Sequence, residues 1–286
     1  LVRCALTTKA HLRLFQPLLV LRQFLHYVTR GEHEAVQAIL EKNPYLITQR
    51  SKVTDCSGRM FTHISGFEYA LWALDKHMWV SMLTCIPQNE HAKTLFTQLL
   101  ALYHHVKSEG VTYTFQGKVI TETHFDFENT LIKELQIQVS SNQAPWTTDL
   151  EIMNMQWREG VGGAQKLLPM HVVAEYCSNT PFHPVPEFIS KPISSKKTQN
   201  RLSQQEEDWF GVDTQLSIDF AVCKGNRDCA QRAHSAIEWI PTMAAPRDLI
   251  AMQTLYTVRV NDLIALKDYL EEQKEIINHQ QLPRCN

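Results

Sequence analysis

The chain has 286 residues, 44% of them hydrophobic and 20% charged, with 28 Lys+Arg against 30 Asp+Glu for a net charge of −2. That is enough apolar chain for one large domain or two lobes, and a near-neutral balance lacks the basic surface that holds nucleic acid. No apolar run reaches the roughly 18–20 residues of a membrane span, and no basic amphipathic face suits a membrane surface, so neither nucleic acid nor a membrane is an expected partner.

Leu1 to Ala10 lacks the charged, apolar, small-residue order of a secretory signal peptide, and the chain does not open on Met. It reads as a piece of a longer multidomain protein. Leu18, Leu21, Leu25 and Val28 then fall on one helical face within Leu18 to Arg30. Gly31 punctuates the pattern, and a second helix follows over Glu32 to Asn43, closed by Pro44. The two form an ankyrin-like helical hairpin, but no second copy follows at about 33 residues, so no repeat array is expected. Val53 to Phe61 flanks Cys56-Ser57-Gly58 and predicts a small hairpin or tight extended loop. Ser65 and Glu68 have the spacing of a capping box that opens a helix over Phe67 to Leu74.

Further helices are expected from about His77 to Cys85 and from Asn89 to Ser108, the latter ended by Gly110. Val111, Tyr113 and Phe115 alternate with polar residues, Gln116-Gly117 turns the chain, and Val119-Ile120-Thr121 returns, which is a hairpin. Asp126 to Val139 is helical and Ser140 to Pro145 a loop. A second capping box, Thr148-Asp149-Leu150-Glu151, opens a helix to about Trp157 that Gly160, Gly162 and Gly163 interrupt. Ala164 to Tyr176 is helical with a break at Pro169. Phe182 to Glu187 is extended or looped, and the polar run Ser190 to Asp208 reads as a linker or mobile loop. Gln215 to Val222 reads as helix rather than strand, and Pro246 to Arg259 and Asp262 to His279 as two helices that pair. The fold class is mainly α with small β-hairpins: a single helical domain over 1–286, with possible lobes at 1–145 and 146–286.

Seven cysteines at scattered positions, with no C-x-x-C pair, point to free thiols in a reducing compartment; Cys223 and Cys229 are the closest pair. No nucleophile elbow, zinc-protease, calcium-loop or phosphate-loop motif is present, and no catalytic residue is assigned. Gly160 to Lys166 either bares backbone N–H groups to an anion at a helix start, with Lys166 as phosphate partner, or is a helix break. Phe61, Tyr69 and Trp72 are either an aromatic set that sandwiches a purine or core. Arg59 either binds phosphate or pairs with Asp55. Adjacent His104 and His105 point to different faces of one helix. His171 and Glu175 lie four apart, a two-ligand corner or acid–base pair without a visible third ligand, so no metal site is expected. His183 reads as a solvent-facing loop residue, and the lysines between Lys191 and Lys197 as a solvated loop.

Val53-Thr54-Asp55-Cys56-Ser57-Gly58-Arg59 with Phe67 to Ala73, and Gly162 to Val173 with Glu175-Tyr176-Cys177, resemble the KLAMP domain of Legionella-type secreted effectors. The resemblance spans roughly Leu18 to the C-terminal helices. It implies a mostly helical module that binds an adenine nucleotide, ADP or cyclic AMP, within a multidomain effector delivered to the host cytoplasm; an unidentified host protein is a further candidate partner. It also implies two rings stacked on the adenine, at the positions of Phe61 and Tyr69. Phe61 stands where the family pattern has tyrosine, which keeps the stacking face and loses a hydroxyl. Arg59 and Lys166 are the expected phosphate partners. An interaction scaffold built on the ankyrin-like hairpin, or an enzyme acting on a nucleotide, are the alternatives.

Overall fold

The computed structural model describes residues 9–87, 89–142, 150–200, 203–225, 234–236 and 240–280. The chain divides into two units: Leu1–Phe125 with Val260–Asn286, and Asp126–Arg259.

The first unit opens on helix α1 (Lys9–Thr29). Phe24, Leu25 and Val28 are buried at spacings of one helical face. Gly31 turns the chain at positive φ into α2 (His33–Leu40), whose Val36 and Leu40 are buried four apart. A short 3-10 turn, Pro44–Thr48, is capped by the Asn43 side chain. Strands β1 (Arg50–Thr54) and β2 (Met60–Ser65) form the first hairpin. The Ser65–Glu68 capping box is present and starts α3 (Gly66–Ala73), every residue of which is buried. Arg50 adds a second restraint there, binding both Glu68 carboxylate oxygens. Leu74 ends α3 in the left-handed region, and the Asp75 carboxylate accepts from the Met78 amide to cap α4 (Lys76–Leu83). After α5 (Glu90–Glu109), strands β3 (Val111–Phe115) and β4 (Lys118–Glu122) turn through Gln116-Gly117, both at positive φ as a tight hairpin turn requires. The four strands form an antiparallel meander in the order β1-β2-β3-β4.

The second unit begins with a π turn, Glu128–Ile132, leading into α6 (Lys133–Asn142). Helix α7 (Leu150–Met155) passes through a second π turn, Gln156–Val161, into α8 (Gly162–Gln165). Helix α9 (Met170–Tyr176) follows the break at Pro169. Strands β5 (Lys197–Gln199), β6 (Glu206–Asp208), β7 (Ala221–Cys223) and β8 (His234–Ala236) make a small mixed sheet in the order β6-β5-β8-β7. The Gln165 side chain serves β7 as a strand would: its amide nitrogen donates to Val222 O (2.7 Å) and its oxygen accepts from Val222 N (2.8 Å). Helix α10 (Ile240–Gln280) ends the described chain, and the division between the units falls within it, after Arg259.

The fold is mainly α with small antiparallel hairpins, as the patterning predicts, and among the described residues no helix is long and apolar enough to cross a membrane. Several local expectations are corrected. The glycines at 160–163 do not interrupt the helix. Gly160 lies in the π turn, Gly162 and Gly163 open α8, and Gly162 sits where a Cβ would lie 3.0 Å from Ser217 Cα and 3.1 Å from Phe220 O, so its missing side chain permits close packing. Gln215 to Val222 is not helical: Leu216 bridges Phe220 and Ala221–Cys223 is a buried strand. The run Ser190 to Asp208 is no simple linker, because β5 and β6 pair within it and Thr198 and Asn200 are buried. The two expected C-terminal helices are one, since neither Gly nor Pro separates Arg259 from Asp262. The possible lobe boundary at 145/146 lies within 143–149, outside the described residues, whereas the units divide after Phe125. Thr148 and Asp149 of the second expected capping box, and Cys229, also lie outside the described residues.

Candidate functional site

The aromatic set of the first unit is where the sequence places a purine, and its geometry closes that space. Phe61 is 0% and Tyr69 4% exposed. Their ring centroids lie 5.4 Å apart with planes at 84°. A purine between two rings needs parallel faces about 7 Å apart, two van der Waals contacts of ~3.5 Å. Trp72 fills the remaining volume, 5.2 Å from Phe61 and 5.6 Å from Tyr69. The expectation that Phe61 and Tyr69 offer open faces is therefore corrected: edge-to-face packing has made them core.

Arg59 belongs to the same core. Its guanidinium lies 5.3 Å from the Trp72 ring, 5.7 Å from Tyr113, 5.6 Å from Phe115 and 5.1 Å from Phe125. Ring faces are attractive to a cation, more so where water is excluded. Asp55 supplies the counter-charge: one carboxylate oxygen accepts from the Arg59 amide (2.8 Å) and the other faces Nη1 at 3.4 Å. Burial raises the Asp55 pKa and the Arg59 charge opposes that rise. Of the two readings of Arg59, the structure has the pair with Asp55, turned away from solvent. Glu122 accepts from Trp72 Nε1 (3.2 Å) and from the Tyr113 hydroxyl (2.9 Å), and burial followed by the Glu122 charge pushes the Tyr113 pKa up to about 12.

Lys166 does not meet a helix start. It caps the C-terminal end of α8, where the helix dipole is negative and favours a cation over an anion. His105 faces Glu68 at 3.8 Å and Glu109 at 3.6 Å. His171 and Glu175 are both buried on α9, and His171 packs 6.4 Å from Phe127. Among the described residues no group of three or more His, Cys, Asp or Glu side chains could hold a metal ion.

Open volume with buried charge beneath it lies in the second unit. A cleft of ≈ 550 Å³ is lined by Glu175, Asn179, Thr180 and the segment 186–193. A smaller chamber of ≈ 230 Å³ shares Asn179 and Ile193 with it and adds Cys177, Ser194, Ser195, Lys197, Gln199 and Glu206. Helix α9 brings Glu175 to the cleft, and Arg259 ties its two walls from below. Nη2 of Arg259 meets the Glu175 carboxylate at 3.3 Å while Nη1 donates to Phe188 O at 2.9 Å. Ile189 and Ile193 are exposed at the rim. In the smaller chamber, burial pushes the Cys177 thiol up to about 12, so it carries no thiolate at neutral pH and is no nucleophile there. A groove of ≈ 660 Å³ along the first π turn and α6 is lined by one helix face of mostly exposed residues, Glu128 to Ser141. It has no buried charged group on its lining.

The sequence reading marked Glu175 but passed over Arg259, Lys224 and Asn179. Arg259 had a signal. Met252, Leu255 and Arg259 are all fully buried at spacings of three and four, so the arginine sits on the apolar stripe of its helix. Lys224 likewise ends the apolar run Phe220 to Cys223. Asn179 had none.

A family model described as the CBUA0006 C-terminal domain matches residues 130–270. Glu175, Asn179, Lys224 and Arg259 all lie within that span. The chain is also similar to the uncharacterized protein CBUA0006 of Coxiella burnetii (strain RSA 493 / Nine Mile phase I), 35% identical over 268 residues, which is 87% of this chain and 75% of that protein. No solved structure matches.

Proposed function

This chain belongs to the CBUA0006 family, and from that premise we propose that it is a small-ligand-binding module whose site is the cleft of the second unit. The observation that carries the reading is the ≈ 550 Å³ cleft with the Glu175 carboxylate fixed at its base by Arg259. The volume falls in the roughly 300–1,000 Å³ range of ligand sites, which combine apolar walls with a few placed polar groups.

The ligand class we put forward is an adenine nucleotide, ADP or cyclic AMP. The resemblance to the KLAMP domain supports that choice, as it supports a bacterial effector acting in the host cytoplasm. The cleft has complementary chemistry for such a ligand. Ile189 and Ile193 provide apolar rim for a base. A carboxylate such as Glu175 suits ribose hydroxyl donors. Lys191 on the lining suits a phosphate. This assigns the ligand to a different place from the Phe61–Tyr69 pair.

Calorimetry with ADP and with cyclic AMP tests it. The expected outcome is a dissociation constant below about 1 mM (~4 kcal/mol of binding) that weakens about tenfold in K191A. No heat at millimolar ligand, or binding indifferent to K191A and to T180A, overturns the proposal.

A further inference from the structure

Lys224 follows β7 and is 0% exposed. Its ammonium donates to the carbonyl of Glu175 and to Ser178 Oγ (2.8 Å), and it lies 4.8 Å from the centre of the Phe182 ring. Ser178 Oγ is itself a junction: it donates to Glu175 O (2.9 Å) and accepts from the Thr180 amide (3.3 Å). A cation at the end of a helix meets carbonyls without intrahelical partners and the negative end of the dipole. Here the helix is α9, and the turn beyond it runs straight into the lining. Cys177 faces the smaller chamber, Thr180 the larger, and Asn179 both. Ser178 also bridges Ser194, which joins this turn to the opposite loop.

We propose that Lys224 is a positioning residue for the cleft: its buried ammonium pins the turn Cys177–Thr180, the wall common to both chambers, so that ligand affinity follows the protonation of this one side chain. The proposal rests on the cleft being a ligand site. Among the described residues, three ionisable groups bear on Lys224. Glu175 and Asp248 hold it charged, Asp248 also accepting the Lys224 amide at 3.2 Å. The Cys177 thiol, held neutral by burial, adds little charge at neutral pH. Burial outweighs these and lowers the lysine to about 8. Below that pH the pin is a cation on a helix end; above it, a neutral amine with a weaker grip on the same acceptors.

The experiment follows the backbone amides of Asn179 and Thr180 by NMR from about pH 6.5 to 9.5 in wild-type and K224M chains. ADP is titrated as a probe near pH 7 and pH 9. The expected result is one midpoint near pH 8 at both amides in the wild type and none in K224M. ADP affinity should fall about threefold between the two pH values in the wild type and stay flat in K224M. A midpoint near 8 that persists in K224M, or is missing from the wild type, overturns the inference. If ADP does not bind at either pH while the amides titrate as described, the pin is upheld and the nucleotide reading fails. Should K224M not fold, S178A serves. It removes one acceptor of Lys224 and the partner of the Thr180 amide, and the pH-dependent shift at Thr180 should drop by about half or more. An unchanged shift overturns the inference.

Discussion

Each unit buries a cation among aromatic and acidic side chains, yet the two arrangements do opposite things with space. In the first unit Arg59 is enclosed by four rings and an Asp55 carboxylate, and Trp72 meets the Tyr113 and Phe125 rings edge to face. In the second, Lys224 and Arg259 lie beneath a cleft, with Arg259 spanning the helix and loop that form its walls. Rings beside an arginine are thus no sign of a ligand site by themselves. Residue type decides what chemistry is possible, and packing decides whether anything can reach it.

The sharpest way to break this comparison is F61A. A core phenylalanine cut to alanine costs about 3–5 kcal/mol, so the variant should unfold at markedly lower denaturant while K191A unfolds like the wild type. If F61A kept its stability and lost only ADP binding, the ring cluster would be a site after all. R59M comes next. It fills similar volume but leaves the Asp55 carboxylate buried without its partner, at a cost of about 3–5 kcal/mol. The double variant with D55N should recover part of that in equilibrium unfolding.

G162A probes the second unit where space is scarce. A Cβ there comes within 3.0–3.1 Å of the Ser217 and Phe220 backbone, and overpacking of this kind costs about 1–3 kcal/mol. G163A, with nothing within 4 Å of its Cβ, should be neutral or stabilising by thermal denaturation. The remaining effects are in pH. Asp55 has a pKa raised above its ordinary 3.8, so its contribution is full below 3.8 and is lost as pH rises through the folded value. Lys224, lowered from 10.5 to about 8, works the other way: its contribution is present above 10.5 and is lost as pH falls through 8. The share of the unfolding free energy due to Asp55 should slope down with rising pH in the acid limb, and that due to Lys224 should slope up from about 8, opposed above about 9 by the raised Cys177 thiol. D55N removes the first slope and K224M the second.

Local features with short-range causes were legible in the sequence. The Ser65–Glu68 capping box, the Gln116-Gly117 turn and the break at Pro169 each depend on a few neighbouring residues and stand as expected. What depends on partners far along the chain was not. The cleft joins residues 175–193 to Arg259, and no local period announces that meeting. The strand at Ala221–Cys223 gets its pairing from β8 and from Gln165, some 57 positions away. Phe61 and Tyr69 were marked as aromatic by the sequence, but their orientation is set by packing against each other and against Trp72, with Tyr113 beside Phe61.

The Gln165 amide has one more effect. Strand β7 is the last in its sheet, and an outermost strand offers a row of unused donors and acceptors onto which another molecule can add itself. At Val222 that row is already occupied by a side chain from the same chain. The sheet is thereby shielded from growing by edge-to-edge association there, a safeguard against aggregation that rests on a single glutamine.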